Sequence, residues 1–423
     1  MTSDPRRTAA PRVTVTLLAA ILAGCGSTQA TLSPMPSQAA PATPGDSPLS
    51  SIPSATSAPA TAPPATPAPS PTAVASCAAR TLSSMTEAQR IGQIFNIGLS
   101  KDVLDATEKA GVAAYHFGSM WFPRQTSEGA AAVRAVADAV QAQATQATTH
   151  GVRFFVGANQ EGGLIQGLSG SGFDVIPSAL TQGTWSPSVL QTKALRWGGQ
   201  LRAAGVNLNF APIADVVPPG TDAQNAPIGQ LQREFGHDPA TVSSHVAAFI
   251  AGMHQAGIDT TAKHFPGLGR VAGNTDFTGA VIDTVTTRHD PYIASFAKAV
   301  DVGVPFVMVS LAIYERIDPS NIAGFSTTID SGMLRGDLGF RGVVVSDSLS
   351  ATAVTSLTPA TRAIDFLAAG GDMIVLNPLD QAIAMAKALA SRAAEITSFR
   401  ARVNNAALHV LEAKQAAGLL TCS

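Results

Sequence analysis

The chain has 423 residues, a formal net charge of −2 and only 13% charged residues. With no basic stripe, that balance argues against nucleic acid as a partner. Its three cysteines form no paired C-x-x-C, and of eight histidines only His264 sits in a motif, which argues against a zinc site.

The first 25 residues read as a secretion signal. Arg6, Arg7 and Arg12 precede an apolar run from Val13 to Ala23. That run is shorter than the roughly 20 residues needed to span a bilayer. It ends in Leu22-Ala23-Gly24-Cys25, which resembles the bacterial lipobox, where the cysteine receives a lipid. The alternative is an ordinary signal peptide with an incidental cysteine. Residues 26–76 are almost entirely Ser, Thr, Ala, Pro and Gly, with a single charge at Asp46. Such a segment has little bulky apolar surface to offset its ordering entropy and reads as a disordered tether. Extended as polyproline it would reach on the order of 150 Å.

Composition turns globular from Cys77, and residues 77–423 form the third region. Candidate strands lie at 93–98, 113–117, 154–158, 206–213, 259–263, 306–310, 342–346 and 373–376. Ala-rich stretches with helical spacing alternate with them, at 128–145, 189–204, 240–256 and 292–302 among others. The strands show little polar alternation, as expected when both faces are buried. Strand then helix, about eight times over, predicts an α/β fold of the (β/α)8 TIM-barrel type. No G-x-G-x-x-G opens the first turn, which speaks against a nucleotide site. An exported chain can hold a disulfide, and a closed barrel brings its ends together, so we predict a Cys77–Cys422 bridge; two free thiols are the alternative.

Ionisable groups gather where apolar runs stop, as a barrel's active site requires. Asp347 follows Val343-Val344-Val345-Ser346 and suits either a helix N-cap or the nucleophile of a retaining glycosidase. Lys263-His264-Phe265-Pro266-Gly267 closes another strand; the pair could bind ligand hydroxyls, or be a rim lysine and a core histidine. Asp276 is the only carboxylate in the loop from Arg270 to Val281, which reads as a lid between Gly273 and Gly279. Asn159, in Gly157-Ala158-Asn159-Gln160-Glu161-Gly162-Gly163, can donate to and accept from a sugar hydroxyl. Arg233 offers a fork of donors, its plain alternative being an ion pair with Glu234 or Asp238, and Asp215 reads as a ligand contact or a brace. No H-E-x-x-H or G-x-S-x-G is present.

These segments together resemble glycoside hydrolase family 3, in particular its single-domain bacterial β-N-acetylglucosaminidases. The matching stretches are 157–165, 205–215, 228–239, 263–269, 307–310 and 342–349, with Asp318-Pro319-Ser320-Asn321 and Phe325-Ser326. The lipobox and tether resemble the exported, lipid-anchored branch of actinobacteria. The resemblance implies a retaining mechanism without a cofactor or metal. It makes Asp347 the nucleophile and Arg233, Lys263 and His264 the residues that hold the non-reducing sugar. Terminal N-acetylglucosamine of cell-wall fragments is the implied substrate.

The chain departs from that pattern at the proton donor. Where the single-domain branch carries Asp-Ser-His, this sequence reads Asn274-Thr275-Asp276, which makes Asp276 the acid/base candidate. Asn159 stands for an Asp, Leu164 for an Arg, and Leu268 and Leu311 each for a His. Two other readings stay open: a sugar-binding lipoprotein that kept the barrel, and a β-glucosidase or β-xylosidase of the same family.

Overall fold

Eight parallel strands form a ring in the computed structural model, which describes residues 76–101 and 103–421. In chain order they are β1 (Phe95–Gly98), β2 (Ser119–Phe122), β3 (Phe155–Ala158), β4 (Leu208–Asn209), β5 (Asp259–Phe265), β6 (Phe306–Val309), β7 (Val343–Ser346) and β8 (Ile374–Leu376). Each pairs with the next, and β8 returns to β1 through Phe95 opposite Ile374. A bridge between Val345 and Met373 closes the last gap.

Helices α1 (Cys77–Ser84) and α2 (Glu87–Gln93) precede the ring. Then α3 (Ala106–Tyr115), α4 (Gly129–Gln141), α5 (Pro187–Ala203), α6 (Pro239–Gln255), α7 (Ala294–Asp301), α8 (Pro359–Ala369) and α9 (Leu379–Glu395) follow successive strands, with a π-helical segment, Thr328–Asp337, in the place after β6. Helix α10 (Thr397–Ala416) ends the fold. Several starts are legible in the sequence. Ser186-Pro187, Asp238-Pro239 and Thr358-Pro359 each place a capping oxygen before a proline whose missing N–H costs nothing at the first helical position.

The second strand differs from expectation. Residues 113–115 complete α3, and the strand is Ser119–Phe122. A reciprocal cap fixes the helix: Glu108 N donates to Asp105 Oδ1 at 2.9 Å, and Asp105 N donates to Glu108 Oε2 at 3.0 Å. His116, in the left-handed region at φ 60°, then turns the chain out. The fourth strand is shorter than expected, Leu208–Asn209, although backbone bonds continue through Phe210, Ala211 and Pro212. A lone bridge between Ile213 and Lys263 follows.

The two-residue period of the strands sorts their side chains. Val343 and Val345 face into the barrel with Phe155, Phe306, Met308 and Val375, whereas Val344 packs outward under the helices. Inside, Phe155 meets Phe306 edge to face at 5.2 Å, and Trp121 meets Phe210 at 5.5 Å. Burying each such ring is worth about 1.5–3 kcal/mol. The barrel is therefore plugged along its axis.

Helix α1 docks on α10, where Ala78 N donates to Gln415 Oε1 at 2.9 Å. Of the predicted disulfide, Cys77 opens α1 and Cys422 lies outside the described residues, as do Cys25 and all of the tether but Ser76, which caps α1. Among the described residues no helix is long and apolar enough to cross a membrane.

Candidate active site

The C-terminal ends of the strands open into one pocket. Its floor is the top of the barrel core, Trp121, Phe210, Met308 and Val375; its walls include Asn159, Arg233, Lys263, His264, Asp276 and Asp347. The structure thus brings together Asn159, Arg233, Lys263, His264, Asp276 and Asp347; Asp215 lies directly behind His264, and Leu164 and Leu311 are not in the pocket lining.

Behind the wall stands Glu161, an anion that the sequence reading did not single out. Its carboxylate takes Arg233 Nε and one terminal nitrogen in a fork, at 2.8 and 2.9 Å, and Lys263 Nζ at 2.7 Å. Burial alone would raise the Glu161 pKa; the charges of Arg233 and Lys263 override it and hold it at about 2. Burial in turn pushes the Lys263 ammonium below its ordinary value, a drop that Glu161 limits. Lys263 Nζ also donates to Asn159 Oδ1 at 2.9 Å. Arg233 completes its set by donating to the Pro227 carbonyl at 2.8 Å.

The alternative reading of Arg233, a surface pair with Glu234 or Asp238, is not what forms. Asp238 caps α6 through Thr241 N at 2.9 Å, and Glu234 is turned into a separate buried space. A signal for Glu161 was available. An ionised residue between a buried strand and Gly162-Gly163 must be paired, and Arg233 and Lys263 were already candidate cations.

Asp215 is a brace. Its fully buried carboxylate accepts from His264 Nδ1 at 2.8 Å, from the His264 backbone N–H at 3.1 Å and from Leu268 N at 2.7 Å. A carboxylate only accepts, so Nδ1 carries the proton and the ring's orientation is set. The peptide between Lys263 and His264 is cis, with a bulge in the β5–β6 pairing at this point.

Asp347 directly follows β7. Its N–H bonds Val309 O at 3.1 Å, and its Oδ1 accepts from Ser348 N at 2.8 Å. Asp276 comes from the loop after β5. Asn274 Oδ1 accepts from Asp276 N at 2.9 Å and shapes the turn. Thr352 donates to the Asp276 carbonyl from its hydroxyl at 2.8 Å, and Ala353 N donates to the Thr275 carbonyl at 3.0 Å. The loop expected to be a lid is therefore tied to the segment after Asp347. Asp276 is exposed to solvent and lines the pocket. Desolvation raises its pKa, and the charge of Asp347 raises it further, against a weaker pull from Arg233, His264 and Lys263.

Two carboxyl groups in one pocket, one biased toward its protonated form, match the needs of acid-assisted displacement. Among the described residues one further cluster could ligate a metal: Asp222, Glu234 and His237 on the β4–α6 loop.

Comparison with known proteins agrees with this geometry. The sequence profile of the glycosyl hydrolase family 3 N-terminal domain matches residues 86–413. A β-N-acetylhexosaminidase of known structure from Beutenbergia cavernae is 43% identical, with a TM-score of 0.77, covering 78% of this chain and 99% of that one. A β-hexosaminidase from Stenotrophomonas maltophilia is 31% identical over 65% of this chain and 78% of its own length. One from Xylella fastidiosa is 35% identical over 42% of this chain, a match that spans about half (51%) of that relative. By sequence and by fold, the chain belongs to glycosyl hydrolase family 3.

Proposed function

We propose that the chain is a retaining exo-β-glycosidase that removes terminal β-linked N-acetylglucosamine from cell-wall fragments. The observation that carries this reading is the shared pocket of Asp347 and Asp276, in which one carboxyl group's charge raises the pKa of the other. The Asp347 carboxylate attacks the anomeric carbon as the glycosidic C–O bond breaks. Asp276 gives its proton to the leaving oxygen. The roles then turn: Asp276 takes a proton from water, the water oxygen attacks the anomeric carbon, and the bond to Asp347 is released. Arg233, Lys263, His264 and Asn159 hold the sugar's oxygens, and Glu161 and Asp215 keep the first three in place. The relatives from Beutenbergia, Stenotrophomonas and Xylella support the choice of N-acetylhexosamine.

A panel of aryl β-glycosides tests it. Fastest turnover is expected on the N-acetylglucosaminide, with a loss of several orders of magnitude in Asp347→Asn. Full activity in that variant would end the assignment. Preference for the glucoside or xyloside would redirect the substrate within the same mechanism. Leu268, lining the pocket where the family has His, favours a second reading as a sugar-binding protein. Saturable binding of N-acetylglucosamine without turnover of any glycoside would select it.

The chain's place is outside the cell membrane, held by a lipid on Cys25, with Cys77 and Cys422 bridged. The docking of α1 on α10 supports the bridge by bringing the two ends of the barrel domain close. Fatty-acid labelling that survives Cys25→Ser would remove the anchor. Alkylation of both Cys77 and Cys422 without prior reduction would remove the bridge.

A further inference from the structure

The loop between β4 and α6 carries a second polar cluster. One carboxylate oxygen each of Asp222 and Glu234 and a ring nitrogen of His237 lie within 4.8 Å of one another. Glu234 is fully buried, yet neither Oε1 nor Oε2 has a hydrogen-bond partner. The buried Asp222 Oδ1 is likewise unpartnered, and His237 Nδ1 is 3.6 Å from it. A buried Glu234 carboxyl facing the partly exposed Asp222 is costly unless a proton or a cation lies between them, and burial does push the Glu234 pKa up, to about 8.

We propose that Asp222, Glu234 and His237 form a binding site for a divalent transition-metal ion of the zinc class. One imidazole and two carboxylates are a donor set used for zinc, with a fourth position left for water. Magnesium and calcium prefer all-oxygen shells, so the histidine argues against them. Bonds of about 2.0–2.2 Å bring tetrahedral ligand atoms to about 3.3 Å from one another, so the cluster must contract by about 1–1.5 Å. The Asp222 and His237 side chains, 36% and 33% exposed, have room to make that movement and leave a way in for the ion. Bound there, the ion clamps Asp222 to the 234–237 segment and fixes the loop that delivers Arg233 to the pocket. No spaced motif announces this site, because its ligands come from a short helical turn and from both sides of Phe235-Gly236.

Calorimetric titration of the chelator-stripped full chain with Zn2+ tests the proposal, with the absorption of bound Co2+ as a second readout. One ion per chain is expected, with a rise in Tm. Glu234→Gln, which keeps the side chain's shape, should weaken binding at least about 100-fold, and Asp276→Asn should leave it unchanged. If Glu234→Gln does not fold, His237→Gln at the exposed edge makes the same comparison. Absence of saturable binding in the stripped chain overturns the site. So does binding that persists in these variants, or binding lost only in Asp276→Asn, which places the ion in the catalytic pocket.

Discussion

At the C-terminal mouth of the barrel, Glu161 holds Arg233 and Lys263 against a pocket in which Asp276 and Asp347 have no cation directly paired with them. At the opposite mouth, Asp372 accepts from Arg402 at 2.9 Å, from His409 at 3.0 Å, from the Val344 N–H at 3.0 Å and from Arg335. Nearby, Lys414 of α10 plugs the axis, donating to Gln93 Oε1 at 2.8 Å and to Gly118 O at 2.7 Å over the faces of Phe154 and Phe155. Both mouths bury ions. The lower one surrounds Asp372 and Lys414 with protein partners, although Arg402 Nη1, Gln93 Nε2 and both Asp330 oxygens stay unpartnered, whereas the upper one leaves Asp276 and Asp347 facing room for a ligand. The first arrangement fits a role in stability, and the second fits a role in chemistry.

Substitutions at the two ends should separate accordingly. After Asp347→Asn, the larger effect is expected from Asp276→Asn, which should lower kcat/KM by about 10²–10⁴ while leaving Tm nearly unchanged. Because the Asp276 pKa is raised, the alkaline limb of the pH–rate profile should lie above the ordinary carboxylate range in the parent chain and vanish in the variant. Asp372→Ala should do the reverse. Loss of the anion that Arg335 and Arg402 share should destabilise the fold by about 3–5 kcal/mol in denaturant titration, with kcat retained in the folded fraction. A drop in kcat at unchanged Tm would erase the division between the mouths.

Two pH effects sharpen it. Folding lowers the Glu161 pKa from 4.5 to about 2, so the stability it contributes is complete above about pH 4.5 and is lost as pH falls toward 2. That contribution is on the order of 3 kcal/mol, and Glu161→Gln should flatten the acid limb of a stability curve. Lys414 is depressed from 10.5 to about 7 by burial, so the folded state binds fewer protons than the unfolded chain between those values. Stability should therefore rise with pH by about 1 kcal/mol per unit over that range, relative to Lys414→Met.

Much of this was legible before any coordinates. The valine run before Asp347 and the apolar segment before Lys263-His264 announced strand ends with chemistry on them, and both fall where the ring needs them. The misplaced second strand came from reading Ala113-Ala114-Tyr115-His116-Phe117 as extended while the Asp105-x-x-Glu108 cap was specifying a helix. Glu161 was missed for a different reason. Its role depends on Arg233, which is 72 residues away and is joined to it only by the closing of the ring. Its local signal, a charge between a buried strand and a glycine pair, said that a partner was needed but not which one.

The floor made by Trp121, Phe210, Met308 and Val375 turns the pocket into a blind well. A glycan cannot be threaded through such a well; it can only be lowered in by a tip. For any polymer acted on here, the molarity of free tips would govern the rate, and fragmentation by other enzymes would accelerate it more than added mass.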